Sequence, residues 1–304
     1  MRTNETTVTV SQDDRGVNPL SDEIRLLLKR YKVRPSKKLG QSFLNSHSIA
    51  REIVNLAEVS SHDRVLEVGG GLGMLTRWIA AEVGELHVVE VEPGLVKALH
   101  DVARGFTNMH VIEGDALKVE LPDVNKIVAN LPYSISSEIT FRLLTEVKFD
   151  SAVLMYQKEF ASRLVAKAGT SDYSRLTVNV QYHAHVEALM DVSANMFYPE
   201  PAVDSTVVKM TPRREGPFAK DEAVFHWMIE GIYPYPNKNI RKALRIWLRN
   251  LGHDKQLSQK ILERASSEIE GSEKLRFLDR DTLIHLADTI SEMVSEEVMR
   301  GPRA

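Results

Sequence analysis

The sequence predicts an α/β fold: a doubly wound, mostly parallel sheet followed by a small helical domain. Three observations predict it. Short apolar segments alternate with stretches of helical period from residue 64 past residue 157. A glycine-rich turn follows the first of these segments, where a strand hands over to a helix. After TPRREGPF (211–218), which has the proline, glycine and charge of a linker, every periodic segment reads as helix.

The elements follow in order. Residues 1–18 are polar and read as a loosely attached extension. Leu20, Ile24, Leu27 and Leu28 recur at helical spacing, and Ser21 is expected to cap that helix. A second helix is expected over 46–58. RVLEV (64–68) is a buried strand, followed by a helix over 73–82. LHVVEV (86–91) is the next strand, with a helix over 93–103, and MHVIEG (109–114) the third. KIVAN (126–130) precedes a helix over 136–146, and SAVLMYQ (151–157) precedes another. Leu176, Val178, Val180, Tyr182, Ala184 and Val186 alternate with polar neighbours, which predicts a half-buried strand over 176–186. VDSTVVKM (203–210) is a further strand, and late strands of this kind are expected to run antiparallel. The implied domains are an extension with one helix (1–33), the sheet domain (34–214) and a helical domain (215–304).

Composition narrows the chemistry. The chain has no cysteine among its 304 residues, which excludes disulfides, thiolate metal sites and a thiolate nucleophile. No apolar run reaches the roughly 18 residues that span a bilayer, and the first residues lack a signal-peptide core, so a cytoplasmic protein is expected. Net charge is −3, but the distribution is uneven. Six of the ten residues from Lys29 to Lys38 are basic, while residues 252–299 hold eleven acids and six bases. A basic surface is therefore available away from the C-terminal segment.

Four features carry chemistry. Glu67-Val-Gly-Gly-Gly-Leu-Gly73 spaces Gly69, Gly71 and Gly73 by two, unlike the G-x-G-x-x-G of a pyrophosphate-binding loop. An acid beside such a loop suits a ligand bearing an amino-acid cation. Glu90, at the end of the second strand, is placed to accept two ribose hydroxyls. Asp115, after the third strand, could accept from an adenine amino group, although a turn aspartate after Gly114 is the commoner reading. Asn130-Leu-Pro-Tyr133 ends the fourth strand, on the side of the sheet where ligands bind. The lone pair of an exocyclic aromatic amine is delocalised into its ring. Two acceptors that take its N–H bonds, the Asn130 side-chain oxygen and a carbonyl at Leu131 or Pro132, draw the nitrogen toward a nucleophilic, tetrahedral form. Pro132 stiffens the turn and Tyr133 offers a face on which an extruded base can stack.

At this point the chain resembles the small-subunit ribosomal RNA adenine dimethyltransferases, the kasugamycin-resistance methyltransferases and their archaeal and eukaryotic relatives. The resemblance runs from Lys37 to Leu248. It rests on Lys38-Leu-Gly-Gln-Ser-Phe-Leu-Asn45, Glu67–Gly73, Asn130–Tyr133 with the following Ser-Ile-Ser, and Tyr156-Gln-Lys-Glu159. It continues through Phe197-Tyr-Pro-Glu-Pro-Ala-Val-Asp-Ser205 and Lys238-Asn-Ile-Arg-Lys-Ala-Leu244. It implies a class I methyltransferase fold, S-adenosylmethionine as cofactor, and dimethylation of two adjacent adenosines in a hairpin loop near the 3′ end of small-subunit rRNA during ribosome assembly. By the same resemblance Gln41, Ser42, Leu44, Glu67, Gly69, Gly71, Glu90, Asp115 and Asn130 hold the cofactor, and Tyr133 and Phe197 sandwich the target adenine. A monomer is expected, acting on a partly assembled subunit. The sequence departs from the family in having Gly70 where proline is usual, which is expected to loosen the loop, and Ser42 where asparagine or histidine is common.

Lys238, Arg241, Lys242, Arg245 and Arg249 fall on one face of a helix expected over 238–251, with Ile240, Leu244, Trp247 and Leu251 opposite. With Lys37 and Lys38 they are candidates for RNA phosphates. His183 and His185 lack a third ligand in the sequence, and no metal is expected. The alternatives are an N6-adenine methyltransferase of another RNA, such as the erythromycin-resistance enzymes, and a non-catalytic assembly or transcription factor that keeps the fold. A dehydrogenase is disfavoured by the glycine spacing.

Overall fold

The computed structural model describes residues 19–36, 40–265 and 269–302. Its strands are β1 (Phe43–Leu44), β2 (Arg64–Val68), β3 (Glu85–Glu90), β4 (Met109–Glu113), β5 (Lys126–Asn130), β6 (Ser151–Gln157), β7 (Ala184–Val192), β8 (Phe197–Tyr198) and β9 (Ser205–Pro212). Its α-helices are α1 (Pro19–Arg30), α2 (His47–Leu56), α3 (Thr76–Glu82), α4 (Pro93–Ala103), α5 (Ser136–Glu146), α6 (Lys158–Val165), α7 (Arg175–His183), α8 (Glu222–Ile232), α9 (Ile240–Asn250), α10 (Lys255–Arg264) and α11 (Arg280–Ser295).

Seven strands form one sheet in the order β4-β3-β2-β5-β6-β9-β7, and β1 and β8 form a separate antiparallel pair. Strands β4, β3, β2, β5 and β6 are parallel, and β9 enters antiparallel to β6, pairing Ala152 with Met210 and Gln157 with Ser205. The strand order reverses between β2 and β5, so a crevice opens at their carboxyl ends. Glu67 and the glycine turn end β2, Glu90 ends β3 and Asn130 ends β5, so the fold delivers all three to that crevice. Val65, Leu86, Val88, Val128, Val153 and Val207 belong to one buried cluster with Ile49, Ile53 and Ile79 from α2 and α3.

By contact the chain divides into two compact units, residues 1–161 with 185–212 and residues 162–184 with 213–304. A single cut near 214 had been expected, which puts 162–184 with the sheet. The second unit has its own core, in which Tyr173, Val178 and Tyr182 cluster with Phe225, Ile229, Leu244, Trp247 and Leu286.

Two local expectations are corrected. The strand expected over 176–186 is helix α7 up to His183, and strand β7 begins only at Ala184. Leu176, Val178, Val180 and Tyr182 are all buried, and so is Thr177 between them. Burial on several faces of a helix thus imitates the alternation of a strand. A helix-start signal was present: the Ser174 backbone N–H donates to Thr177 Oγ1, 3.0 Å away. Ser21 is not a cap, because α1 begins at Pro19; its hydroxyl instead accepts from Asn45 Nδ2 at 2.8 Å. Residues 1–18 lie outside the described residues.

Candidate active site

The glycine turn is explained by its backbone. Gly69, Gly71 and Gly73 have φ of +78°, +59° and +79°, the left-handed region that side chains rarely adopt, which accounts for the spacing by two. Gly70 has another reason to be glycine. A Cβ there would lie 2.4 Å from Val88 Cγ1 and 3.0 Å from Leu99 Cδ2, so the turn packs hard on β3 and α4. The loosening expected from a glycine at 70 is offset by this close packing.

Three chain segments converge on the turn. A Cβ on Gly69 would stand 3.0 Å from Pro132, and one on Gly71 3.2 Å from the Phe43 ring. A Cβ on Gly40 would stand 2.9 Å from the Ser134 amide and 3.0 Å from that of Tyr133, so the chain at Gly40 lies against the end of Asn130–Tyr133. Between them lies a cavity of about 250 Å³. Gln41, Ser42, Leu44, Glu67, Gly69, Gly71, Glu90, Asp115, Asn130, Leu131, Pro132 and Tyr133 all line it. The sequence reading had not singled out Phe43, Leu72, Met74 and Leu95, which line it too. These four also pack with Ile24 and Leu28 of α1, so the first helix braces the cavity wall.

The polar groups are arranged as follows. Glu90 Oε1 accepts from the Val91 and Glu92 amides at 2.9 and 3.0 Å, and Oε2 accepts from Gly71 N–H at 3.0 Å. Burial raises the Glu90 pKa, and those three N–H groups oppose the rise. Asp115 Oδ1 accepts from the Leu117 amide at 3.0 Å. Gln41 Oε1 accepts from Ser36 N–H at 2.9 Å and closes the 36–41 loop. Asn130 Oδ1 is buried and has no protein hydrogen-bond partner, and the same holds for Glu67 Oε2. Tyr133 Oη is 2.6 Å from Ser205 Oγ, which ties the turn to β9.

Not every expected residue is brought in. Phe197 does not line the cavity; it is 2% exposed, pairs with Leu44 across β8 and β1, and packs in the sheet core. Lys37 and Lys38 lie outside the described residues. The basic helix begins at Ile240, with Asn239 as its cap, so Lys238 precedes it. Lys238, Lys242 and Arg245 are exposed, Arg241 donates to the Glu270 carbonyl at 3.1 Å, and Leu251 is 39% exposed rather than packed.

With this geometry in place, relatives can be compared. The family model for ribosomal RNA adenine dimethylases matches residues 33–281. The chain belongs to that family. A probable ribosomal RNA small subunit methyltransferase A from Methanococcus maripaludis (strain C5) is 42% identical over 245 residues, 80% of this chain and 93% of its own. The protein of that name from Methanosarcina barkeri is 44% identical over 221 residues, 73% of this chain and 76% of its own. Among solved structures, a dimethyladenosine transferase from Plasmodium falciparum matches with a TM-score of 0.73 at 27% identity, over 84% of this chain and 98% of that one. The 23S rRNA methyltransferase ErmE matches with a TM-score of 0.62 at 27% identity, over 82% and 99% of the two chains. The family match begins at residue 33, after α1.

Family membership makes this a class I methyltransferase whose cofactor is S-adenosylmethionine. The cavity fits that cofactor: it has an acid at the glycine turn, a carboxylate with spare lone pairs at the end of β3, and, among the described residues, no lysine or arginine in its lining to receive a phosphate. Glu67 is 1% exposed, and burial, with the nearby Glu90 charge, pushes its pKa up to about 8. A raised acid pKa means that the folded state holds a proton which the unfolded chain has released. Stability from this source is full below the ordinary value of 4.5 and is lost as pH rises toward about 8. Glu67→Gln, which copies the protonated form, is therefore more stable than the wild type at pH 8 by an amount on the order of a few kcal/mol, and equal to it near pH 4.5. Thermal melts across that range check this; a stability difference that does not vary with pH would refute it.

Proposed function

We propose that the enzyme dimethylates the N6 atoms of two adjacent adenosines in a hairpin loop near the 3′ end of small-subunit rRNA. The observation that carries this reading is the buried, unpartnered Asn130 Oδ1 on the cavity wall, an acceptor held open for an N–H donor. The relatives named as small-subunit methyltransferases support the choice of substrate.

In this reading Glu90 accepts the ribose hydroxyls, Asp115 faces the cofactor's adenine, and Glu67 with the Gly69–Gly71 backbone meets the amino-acid end. S-adenosylmethionine supplies a methyl group on a positively charged sulfur. The target adenine stacks on Tyr133, whose ring the bond to Ser205 holds in place. Asn130 Oδ1 takes one N6–H. The Pro132 carbonyl already accepts from Ile135 N–H at 3.1 Å, which favours the Leu131 carbonyl as the second acceptor. In the first transfer both N–H bonds would be held and in the second the one that remains, turning the nitrogen lone pair out of the ring system and toward the methyl donor. The released proton passes to water, so no dedicated base is required. Phe197 is given the opposite face of the base by resemblance, and taking that place requires it to leave the packed position it occupies here.

RNA binding is assigned to the exposed basic residues at the start of α9, with Lys37 and Lys38. Replacing Lys238, Arg241 and Lys242 together by alanine lowers the slope of log affinity against log salt by about 2. Filter binding over a salt series measures this, and an unchanged slope removes α9 from the interface.

The reading is tested by incubating labelled S-adenosylmethionine with small subunits that lack the modification, then digesting the RNA to nucleosides. N6,N6-dimethyladenosine at two adjacent loop positions is expected. Transfer only to large-subunit RNA would reassign the substrate, and cofactor binding with no transfer to any substrate would favour a factor that keeps only the fold.

A further inference from the structure

A second constellation lies in the helical unit. Asn179 and His183 sit one turn apart on α7, and Glu222 and His226 one turn apart on α8. His183 Nε2 is 3.8 Å and His226 Nε2 3.4 Å from the same oxygen, Glu222 Oε1. The ligand atoms of the three residues all lie within 4.8 Å of one another, and the two imidazoles stack at 5.3 Å. Among the described residues this is the one group of three or more metal-ligating side chains drawn so close.

The hydrogen bonding around it is unusual. His226 Nδ1 is 3.0 Å from Asn179 Oδ1. An amide oxygen only accepts, so Nδ1 carries the hydrogen and donates. With Nδ1 donating to the amide, the second ring nitrogen, Nε2, faces Glu222 Oε1 at 3.4 Å. A cation there replaces the proton that this pair otherwise shares.

We propose that His183, Glu222 and His226 bind a divalent d-block cation, of which Zn²⁺ is the best fit, with Asn179 orienting His226 from behind. Two histidines and one carboxylate form an established zinc ligand set, with water in the fourth position. Metal–ligand bonds of roughly 2.0–2.1 Å in a tetrahedron place ligand atoms about 3.4 Å apart. The His226–Glu222 separation has that value, and the exposed Glu222 carboxylate can rotate to shorten the 3.8 Å one. The Asn179 hydrogen bond is the outer partner that metal-bound histidines commonly have. The ion joins two helices from separate stretches of chain, so its role is to staple the helical unit. His185, the neighbour that the sequence suggested as a partner, is exposed on β7; the second imidazole comes instead from 43 residues beyond His183.

The sheet unit offers an instructive contrast. His87 and His110 also stack, at 5.1 Å, and lie 3.1 and 3.4 Å from Glu85 Oε1. There Arg64 Nε is bound to Glu85 Oε2 at 2.8 Å, so a guanidinium already balances the carboxylate and opposes a dication.

The test uses the full chain without a polyhistidine tag, stripped of metal by a chelator. Titration with Co²⁺ is expected to give the strong visible absorption of a four-coordinate site at one equivalent, which one equivalent of Zn²⁺ then abolishes. Zn²⁺ is expected to raise the melting temperature. His226→Gln and Glu222→Gln lose both effects, Asn179→Ala weakens Zn²⁺ binding about 10- to 100-fold, and His110→Gln changes nothing. Glu222 is exposed, so its variant keeps the test decisive if His226→Gln fails to fold. No absorption in the wild type, absorption that survives Glu222→Gln, or absorption that His110→Gln removes would each overturn the proposal.

Discussion

Asn130→Ala lowers the rate of methyl transfer by roughly 100- to 1,000-fold, the usual cost of removing one pre-organised hydrogen-bonding group from a reacting centre. Cofactor binding is partly kept, and the melting temperature stays close to that of the wild type. The reason is that Asn130 Oδ1 has no protein partner to lose. Its removal therefore leaves no orphaned donor, and the turn is still held by Tyr133 and Ser205. Single-turnover assays with saturating cofactor and RNA isolate the chemical step. A rate within about threefold of the wild type would show that the nitrogen is activated by other means.

Glu90→Ala has the opposite signature. Charge-assisted hydrogen bonds are worth about 1.5–3 kcal/mol each. Loss of two to the ribose raises the cofactor Kd by at least about 100-fold, while kcat at saturating cofactor is largely kept. A structural cost accompanies it, since the amides of Gly71, Val91 and Glu92 all lose their acceptor. Equilibrium binding of S-adenosylmethionine measures the first effect and thermal melts the second. A folded variant with undiminished affinity would mean that Glu90 supports the glycine turn without touching the cofactor.

The legibility of the fold followed burial. Buried parallel strands are continuous apolar runs between polar breaks, so KIVAN and SAVLMYQ were read to the residue as β5 and β6. The α4 and α5 helices were read as well, because each is apolar on one face only. Helix α7 was misread because its burial is not confined to one face, and periodicity is informative only when one side meets water. The site was legible where chemistry and backbone coincide: Glu67–Leu72, Glu90 and Asn130–Tyr133 all sit at strand ends and meet in one cavity. What the sequence could not convey was contact between distant segments. Phe43 against Gly71, Ile24 and Leu28 behind the cavity wall, and Glu222 and His226 beside His183 depend on the folded path of the chain. The packed position of Phe197 is of the same kind, since its pairing with Leu44 spans 153 residues.

The interleaving of the two compact units has a consequence for synthesis. A ribosome making this protein completes the sheet once Pro212 has emerged, because β9 is its last strand. By then residues 162–184 have already been made, and their apolar side chains Tyr173, Val178 and Tyr182 have no partners, since Phe225, Ile229 and Leu286 are still to come. At 5–20 residues per second, the roughly 74 residues from Pro212 to Leu286 take about 4 to 15 seconds to arrive. For that interval the nascent chain carries a finished sheet unit together with the apolar segment 162–184, most of whose core partners are not yet made, and a polypeptide ending at Pro212 would keep that state permanently.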